Sequence, residues 1–227
     1  MKRKHKMKTF FILLMLLTAG GCAAARRCEM AESVMFHADF ENGSADSWWM
    51  TDPDAWRVET LGEDRVFSLY RQSEYTPPVR SPLNMALIKG PVAGSFVLEA
   101  AVQSTTKDYG HRDLCLFFGY KDASHFYYAH LGKKADPHSH TIMVVDGKPR
   151  TAISDTRTDG IPWDDKWHKV RLVRDITTGR IEVFFDDGKK PVMTATDDRF
   201  AYGRIGVGSF DDTGRFDDII VRAIPDK

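Results

Sequence analysis

Trp167-His-Lys-Val-Arg-Leu-Val-Arg174, Arg180-Ile-Glu-Val-Phe-Phe-Asp186, Gly203-Arg-Ile-Gly-Val-Gly-Ser-Phe210 and Arg215-Phe-Asp-Asp-Ile-Ile-Val221 follow one another in the last third of the chain. Apolar and polar residues alternate with a period of two, which places successive side chains on opposite faces of a strand. Thr177-Thr-Gly179 and Asp187-Gly188 supply the turns between them. Short alternating runs separated by Asp/Gly turns at this spacing are the sequence form of an antiparallel β-sandwich.

The same pattern extends upstream. Val34, Phe36, Ala38 and Phe40 share one face of an opening strand, with Met35, His37 and Asp39 on the other. Residues 57–61 and 65–70 flank Gly62-Glu-Asp64 as a hairpin. Tyr75-Thr-Pro-Pro-Val-Arg-Ser-Pro82 is a long loop, because three prolines lack the N–H that a ladder needs. Residues 95–103 alternate with Phe96, Leu98, Ala100 and Val102 on one side. Two aromatic-rich strands, 113–120 and 124–131, are joined by Lys121-Asp-Ala123, and a further strand, 140–145, follows the loop 132–138. Helical periodicity and internal repeats are absent, so the chain reads as all-β, a two-sheet antiparallel β-sandwich over residues 34–227.

The quoted strands resemble the concanavalin A-like lectin/glucanase superfamily, including laminin G-like jelly-roll domains. The strand "W-H-x-V-x-L-x-R", the hairpin "R-I-x-V-x-x-D-D-G", the closing "G-x-I-G-V" with "F-D-D-I-x-V", and the segment from Phe118 to Leu131 carry the resemblance, in that order. It implies a concanavalin A-like jelly roll that binds or processes polysaccharide, and it implies that Trp167 begins a core strand and is buried. The glucanases of this superfamily carry "E-x-D-x-x-E" on one strand, since retaining hydrolysis needs carboxylates about 5 Å apart. That motif is missing here. Glu182 stands alone on its strand, and Glu99 is followed by Ala-Ala-Val-Gln.

Met1-Lys-Arg-Lys-His-Lys-Met-Lys8 is basic, Phe10-Phe-Ile-Leu-Leu-Met-Leu-Leu17 is an apolar run too short to span a bilayer, and Thr18-Ala-Gly-Gly-Cys22 follows. This is the pattern of a secretory signal peptide over residues 1–21, with a short tether over 22–33. The small residues before Cys22 resemble a lipoprotein signal, in which that cysteine is lipidated, although Ala19 replaces the usual Leu. The alternative is ordinary cleavage after Ala23-Ala-Ala25. Export to the periplasm or cell envelope is expected in either case. Removing the signal takes away five basic residues and leaves 27 facing 32 acidic ones, net −5. A mildly acidic chain without a basic stripe argues against nucleic acid as a partner. Cys115 lies in the apolar run Leu114-Cys-Leu-Phe-Phe118 and reads as a buried free cysteine, the other reading being a disulfide to Cys28.

Five histidines, His111, His125, His130, His138 and His140, fall within one thirty-residue stretch. A symmetric hairpin around residues 132–138 places His130 opposite His140 and Tyr128 opposite Ile142, and a hairpin centred on Asp122 pairs Leu114 with His130. Three readings follow. The cluster is a polar sheet face without chemistry. Or it is a glycan groove, with His111, Arg112, Asp113, Tyr128, His130, His138 and His140 hydrogen-bonding sugar hydroxyls. Or it is the catalytic site of a polysaccharide lyase or glycoside hydrolase, with His130, His140 or Tyr128 as acid and base and Arg112 neutralising a uronate. Zinc ranks below these, because no carboxylate or thiol partner is evident.

Two further features bear on ligands. Asp39, Glu41, Asp217 and Asp218 resemble the carboxylates of the paired terminal strands in carbohydrate-binding jelly rolls, where they would hold a structural Ca²⁺; the alternative is turn-capping carboxylates in water. No other cofactor is expected. Trp48, Trp49, Trp56 and Trp163 could stack on sugar rings, but core or core-edge positions are the expected ones. Function thus remains open between a glycan binder, a polysaccharide-processing enzyme, and a structural or protein-interaction module of laminin G type.

Overall fold

The computed structural model describes residues 33–186 and 188–225. The expected signal peptide, most of the tether, Cys22 and Cys28 lie outside the described residues. The strands in chain order are β1 (Ser33–Ala38), β2 (Trp48–Met50), β3 (Trp56–Leu61), β4 (Asp64–Leu69), β5 (Asn84–Ile88), β6 (Phe96–Ser104), β7 (Asp113–Asp122) and β8 (His125–Gly132). They continue as β9 (Thr141–Asp146), β10 (Thr151–Ala152), β11 (Ser154–Arg157), β12 (His168–Asp175), β13 (Arg180–Phe185), β14 (Met193–Thr196), β15 (Arg204–Ser209) and β16 (Gly214–Ala223).

They form two antiparallel sheets, the β-sandwich expected from the alternation. One sheet runs β11-β14-β13-β12-β6-β16-β4-β3, with β1 also paired to β16. The other runs β10-β9-β8-β7-β15-β5-β2. The first and last strands are neighbours as the sequence suggests, with Ala38 opposite Ile219. The alternating residues Phe96, Leu98, Ala100 and Val102 of β6 are buried against Leu114, Leu116 and Phe118 of β7 in the inter-sheet core. Val34, placed on the core face by the pattern, is exposed instead, because a bulge between Val34 and Phe36 shifts the register of β1.

The seven-stranded sheet is buried on both faces. Met85, Leu87, Cys115, Phe117, Phe126, Tyr128, Met143 and Val145 point away from the inter-sheet core and form a second apolar cluster. Tyr75 and Val79 of the proline-rich loop pack against it. Each fully buried side chain of this size contributes roughly 2 kcal/mol, so the loop is fastened to the sheet by packing as well as by hydrogen bonds. Asn84, fully buried, accepts from the Ser73 N–H at 2.7 Å and donates to Ser209 Oγ at 2.9 Å. It joins the loop, β5 and β15 at one point.

Trp48, Trp56 and Trp163 are core residues, while Trp49 is partly exposed. Trp167 departs from the expectation. It is 39% exposed and precedes β12, whose first residue is His168. The strand's inward positions are Val170 and Leu172, so the alternation is obeyed but begins after the tryptophan.

The two strands β5 and β15 approach closely enough to require glycine. A Cβ on Gly208 would sit 1.9 Å from the Asn84 carbonyl oxygen. Gly208→Ala is therefore expected to destabilise the fold by roughly 3 kcal/mol, measured as a lower urea midpoint; an unchanged midpoint would show that the two strands can separate freely.

Candidate functional site

The register of β7, β8 and β9 decides which residues meet at the end of the second sheet. His130 is opposite Cys115 on one side and Thr141 on the other, and Tyr128 is opposite Met143. The expected pairs His130–His140, Tyr128–Ile142 and Leu114–His130 are all displaced. His140 has φ 52, a left-handed backbone, so it ends the loop and β9 begins one residue later. A one-residue slip moves every side chain to the opposite face. In the β7–β8 hairpin the register shifts between Phe118 and Asp122, where Gly119 adopts φ 58.

Those shifts divide the predicted residues into two groups. His111, Asp113, His130 and His138 line one cavity of about 150 Å³, together with Arg80, Tyr109, Arg150, Phe210 and Asp211. Arg112, His140 and Tyr128 do not line it. The Arg112 side chain is buried and donates to Ser104 Oγ at 2.9 Å, to the Ser104 carbonyl at 2.8 Å and to Asp165 Oδ1 at 2.9 Å. It fastens the end of β6 to the segment before β12 and has no free edge for a uronate. His140 is buried with Nε2 2.9 Å from Thr158 Oγ1, and burial takes its imidazole down to about 4. Tyr128 lies beneath the cavity with its hydroxyl buried and unpartnered, and burial raises it well above the ordinary tyrosine range, which removes it as a base at neutral pH.

Asp113 is central to the wall. Its N–H donates to Asp212 Oδ2 at 2.8 Å, while its own Oδ2 accepts from the Phe210 N–H at 2.9 Å. This reciprocal pair clamps the 210–213 loop onto the start of β7. Tyr109 Oη adds a bond to Asp212 Oδ1 at 3.0 Å. Burial, reinforced by the Asp113 charge, pushes the Asp212 carboxyl up to about 7 and raises Asp211 as well. His130 stacks on Phe210, with centroids 5.9 Å apart and planes 25° apart, and its Nδ1 is 2.9 Å from the His138 carbonyl oxygen. The Arg150 guanidinium lies 3.8 Å from the Phe210 centroid. Arg150 Nε and Nη1 are buried and have no hydrogen-bond partner. At the rim, His111 Nε2 is 2.8 Å from Asp136 Oδ2.

Cys115 was read from sequence only as a buried free cysteine, and Arg80, Tyr109, Arg150, Phe210 and Asp211 were not singled out. They come from loops far apart in the chain. The one available signal was that 114–118 and 142–145 are continuously apolar rather than alternating, which marks a strand buried on both faces. A wider groove of about 620 Å³ on the other sheet is lined by charged residues such as Glu99, Lys169, Arg171 and Lys189, with no aromatic ring among them.

The four expected calcium ligands do not converge. Among the described residues, three acidic or soft ligand atoms come within 4.8 Å only in the sets Asp113–Cys115–His130 and Asp113–Asp211–Asp212. Glu41 instead accepts from the Arg65 N–H at 2.8 Å, Asp39 from the Glu41 N–H at 3.3 Å, and Asp217 from the Asp218 N–H at 2.8 Å. These are turn and bulge contacts, Asp218 having φ 46 within the β16 bulge.

No family model matches the chain, and no curated protein matches it in sequence. Solved structures do match its fold. The carbohydrate-binding module CBM66 from Bacillus subtilis is 16% identical with a TM-score of 0.56, over 78% of this chain and 96% of that one. Domain 4 of AbnA, a GH43 extracellular arabinanase from Geobacillus stearothermophilus in complex with arabinotriose, is 12% identical with a TM-score of 0.53, over 85% and 93%. The Emp47p carbohydrate recognition domain is 13% identical with a TM-score of 0.53, over 83% and 95%. At these identities the likeness is one of fold.

Burial raises Asp217 to about 6. The unfolded carboxyl titrates near its ordinary value of about 4, so between about pH 4 and 6 the folded state keeps a proton that the unfolded chain has lost. Stability from this group therefore falls as pH rises through that window. Asp217→Asn keeps the acceptor for the Asp218 N–H and removes the charge. It is expected to raise the melting temperature at about pH 7.5 and to have little effect near pH 4; an equal shift at both would show that charge is not the cause.

Proposed function

We propose that this domain binds a glycan in the cavity between the β7 start, the 210–213 loop and the proline-rich loop. The observation that carries the reading is Arg150. Its guanidinium is stacked on Phe210 with two buried donors unused, in a cavity also lined by Tyr109, three histidines and two carboxylates. Unpaired buried donors cost free energy until a ligand oxygen accepts from them. Sugars combine hydroxyl or carboxylate acceptors with C–H faces that suit aromatic rings. The carbohydrate-binding names of the three similar folds support the same class of ligand.

Binding is favoured over polysaccharide cleavage. Asp113 and Asp212 form a carboxylate cluster with Asp211, but both are buried and committed to backbone N–H groups. Glycosidase carboxylates must flank the scissile bond from two sides. Here they converge on one side of the cavity.

A glycan array followed by calorimetry on the hits tests the reading. Arg150→Ala and Phe210→Ala should each weaken binding by about tenfold or more, which corresponds to about 1.4 kcal/mol, while the melting temperature changes little. Hits whose affinity both variants leave unchanged would remove the site from this cavity, and product released from a hit would favour the lyase or hydrolase reading.

We further propose that the chain is exported and anchored through Cys22. The charged, apolar and small-residue sequence before it supports this. Cys22→Ala should move the protein from the membrane to the soluble fraction on fractionation; unchanged partitioning would favour cleavage at the alanine run.

A further inference from the structure

The floor of the cavity holds two buried polar atoms without a hydrogen-bond partner, His130 Nε2 and Asp113 Oδ1. His130 Nδ1 faces the His138 carbonyl oxygen, which can only accept, so Nδ1 carries a proton and, whenever the imidazole is neutral, Nε2 presents a lone pair. Nε2 is buried without a hydrogen-bond partner, although Asp113 Oδ2 is 3.2 Å away. That oxygen already accepts from the Phe210 N–H at 2.9 Å and the Cys115 thiol at 3.3 Å. Asp113 Oδ1 is buried and unpartnered too. With a neutral imidazole, two electron-rich atoms face each other with no donor between them, on side chains 1% and 4% exposed.

We propose that Asp113, Cys115 and His130 bind a divalent transition ion of the zinc class. One ligand atom from each lies within 4.8 Å of the other two, and ligands around a tetrahedral zinc are roughly 3.5 Å apart. The backbone builds this set: Asp113 and Cys115 share one face of β7 two residues apart, and Cys115 is the cross-strand partner of His130. The Nδ1–H to carbonyl bond fixes the tautomer that leaves Nε2 free to ligate. One nitrogen, one sulfur and one oxygen suit zinc or cobalt, whereas calcium and magnesium take oxygen. Asp113 and His130 line the cavity together with Asp211, which gives the ion a path in. The ion also offsets the mutual repulsion of Asp113, Asp211 and Asp212, whose carboxylates converge. On binding, the Cys115 thiol releases its proton to solvent, the imidazole donates its lone pair, and no electron is transferred.

The full-length protein, stripped with a chelator, is titrated with Co²⁺, Zn²⁺ and Ca²⁺. Co²⁺ should give a tetrahedral visible spectrum and a thiolate charge-transfer band, and Zn²⁺ should displace it. Cys115→Ser should abolish the band and weaken Co²⁺ binding by about tenfold or more. Because Cys22 and Cys28 are the other two thiols of the chain, the Cys22→Ala/Cys28→Ala variant should keep the band, which assigns it even if Cys115→Ser fails to fold. No uptake of Co²⁺ or Zn²⁺, a band lost in the double variant, or a preference for Ca²⁺ would each overturn the proposal. The first outcome would assign the pair to a protonated His130 held by Asp113, and the last to an all-carboxylate site.

Discussion

Burial of the second sheet on both faces is the constraint from which the rest of this structure follows. Met85, Leu87, Phe117, Phe126, Tyr128 and Met143 would leave a broad apolar face in water if nothing covered them. The proline-rich loop supplies that cover, and its composition suits the task. Prolines cannot extend the sheet, so the segment lies across the face instead of joining an edge. Tyr75 and Val79 reach the cluster, and Asn84 fixes the loop's return. The central face, which an open sandwich could offer to a ligand, is thus filled. What remains accessible is the end of the sheet, where β7 and β8 meet the 210–213 loop.

How far the sequence could be read depends on which physical feature encodes each part. Period-2 alternation is written locally, so β6, β7, β8, β9, β12, β13, β15 and β16 were legible one by one, while the short β10, β11 and β14 were not. The neighbouring placement of β1 and β16 was legible too, from the resemblance of the terminal segments. Register was not. It depends on backbone events that single residues cause, Gly119 at φ 58 and His140 at φ 52. A left-handed histidine carries no signature distinguishing it from an extended one, yet it sent His140 to Thr158, while the shift at Gly119 brought Cys115 to His130. Arg112 failed for another reason. Beside Asp113 in sequence, it points to the opposite face, where Ser104 and Asp165 absorb its donors. Arg150 and Phe210 lay beyond sequence reasoning, since their contact joins segments sixty residues apart.

Electrostatics at the sheet end are arranged in layers. Asp113, Asp211 and Asp212 concentrate negative charge where burial already disfavours it, and the raised Asp211 and Asp212 carboxyls record that conflict. Two arginines, Arg80 and Arg150, border the same cavity and oppose it. The opposition is incomplete, because Arg150 makes its contact with the face of Phe210 rather than with a carboxylate. Positive donors and negative acceptors therefore line the same cavity, and two of the Arg150 donors stay unpaired. Such a lining suits a ligand that is itself both donor and acceptor, as a polyol is.

Phe210 ties these layers together. Its backbone N–H holds Asp113 Oδ2, one face of its ring meets His130, and Arg150 stands over it at 3.8 Å. The ring fixes the plane of the imidazole, while the His138 carbonyl fixes its tautomer. The arginine and the buried imidazole thus both rest on a single aromatic ring. The ligand-facing wall and the Asp113–Cys115–His130 floor share one loop, so whatever occupies the upper site bears on the geometry of the lower one. Equilibrium coupling of this kind is reciprocal: an ion that orders His130 and Asp113 also orders Phe210, and with it the guanidinium that a glycan would meet.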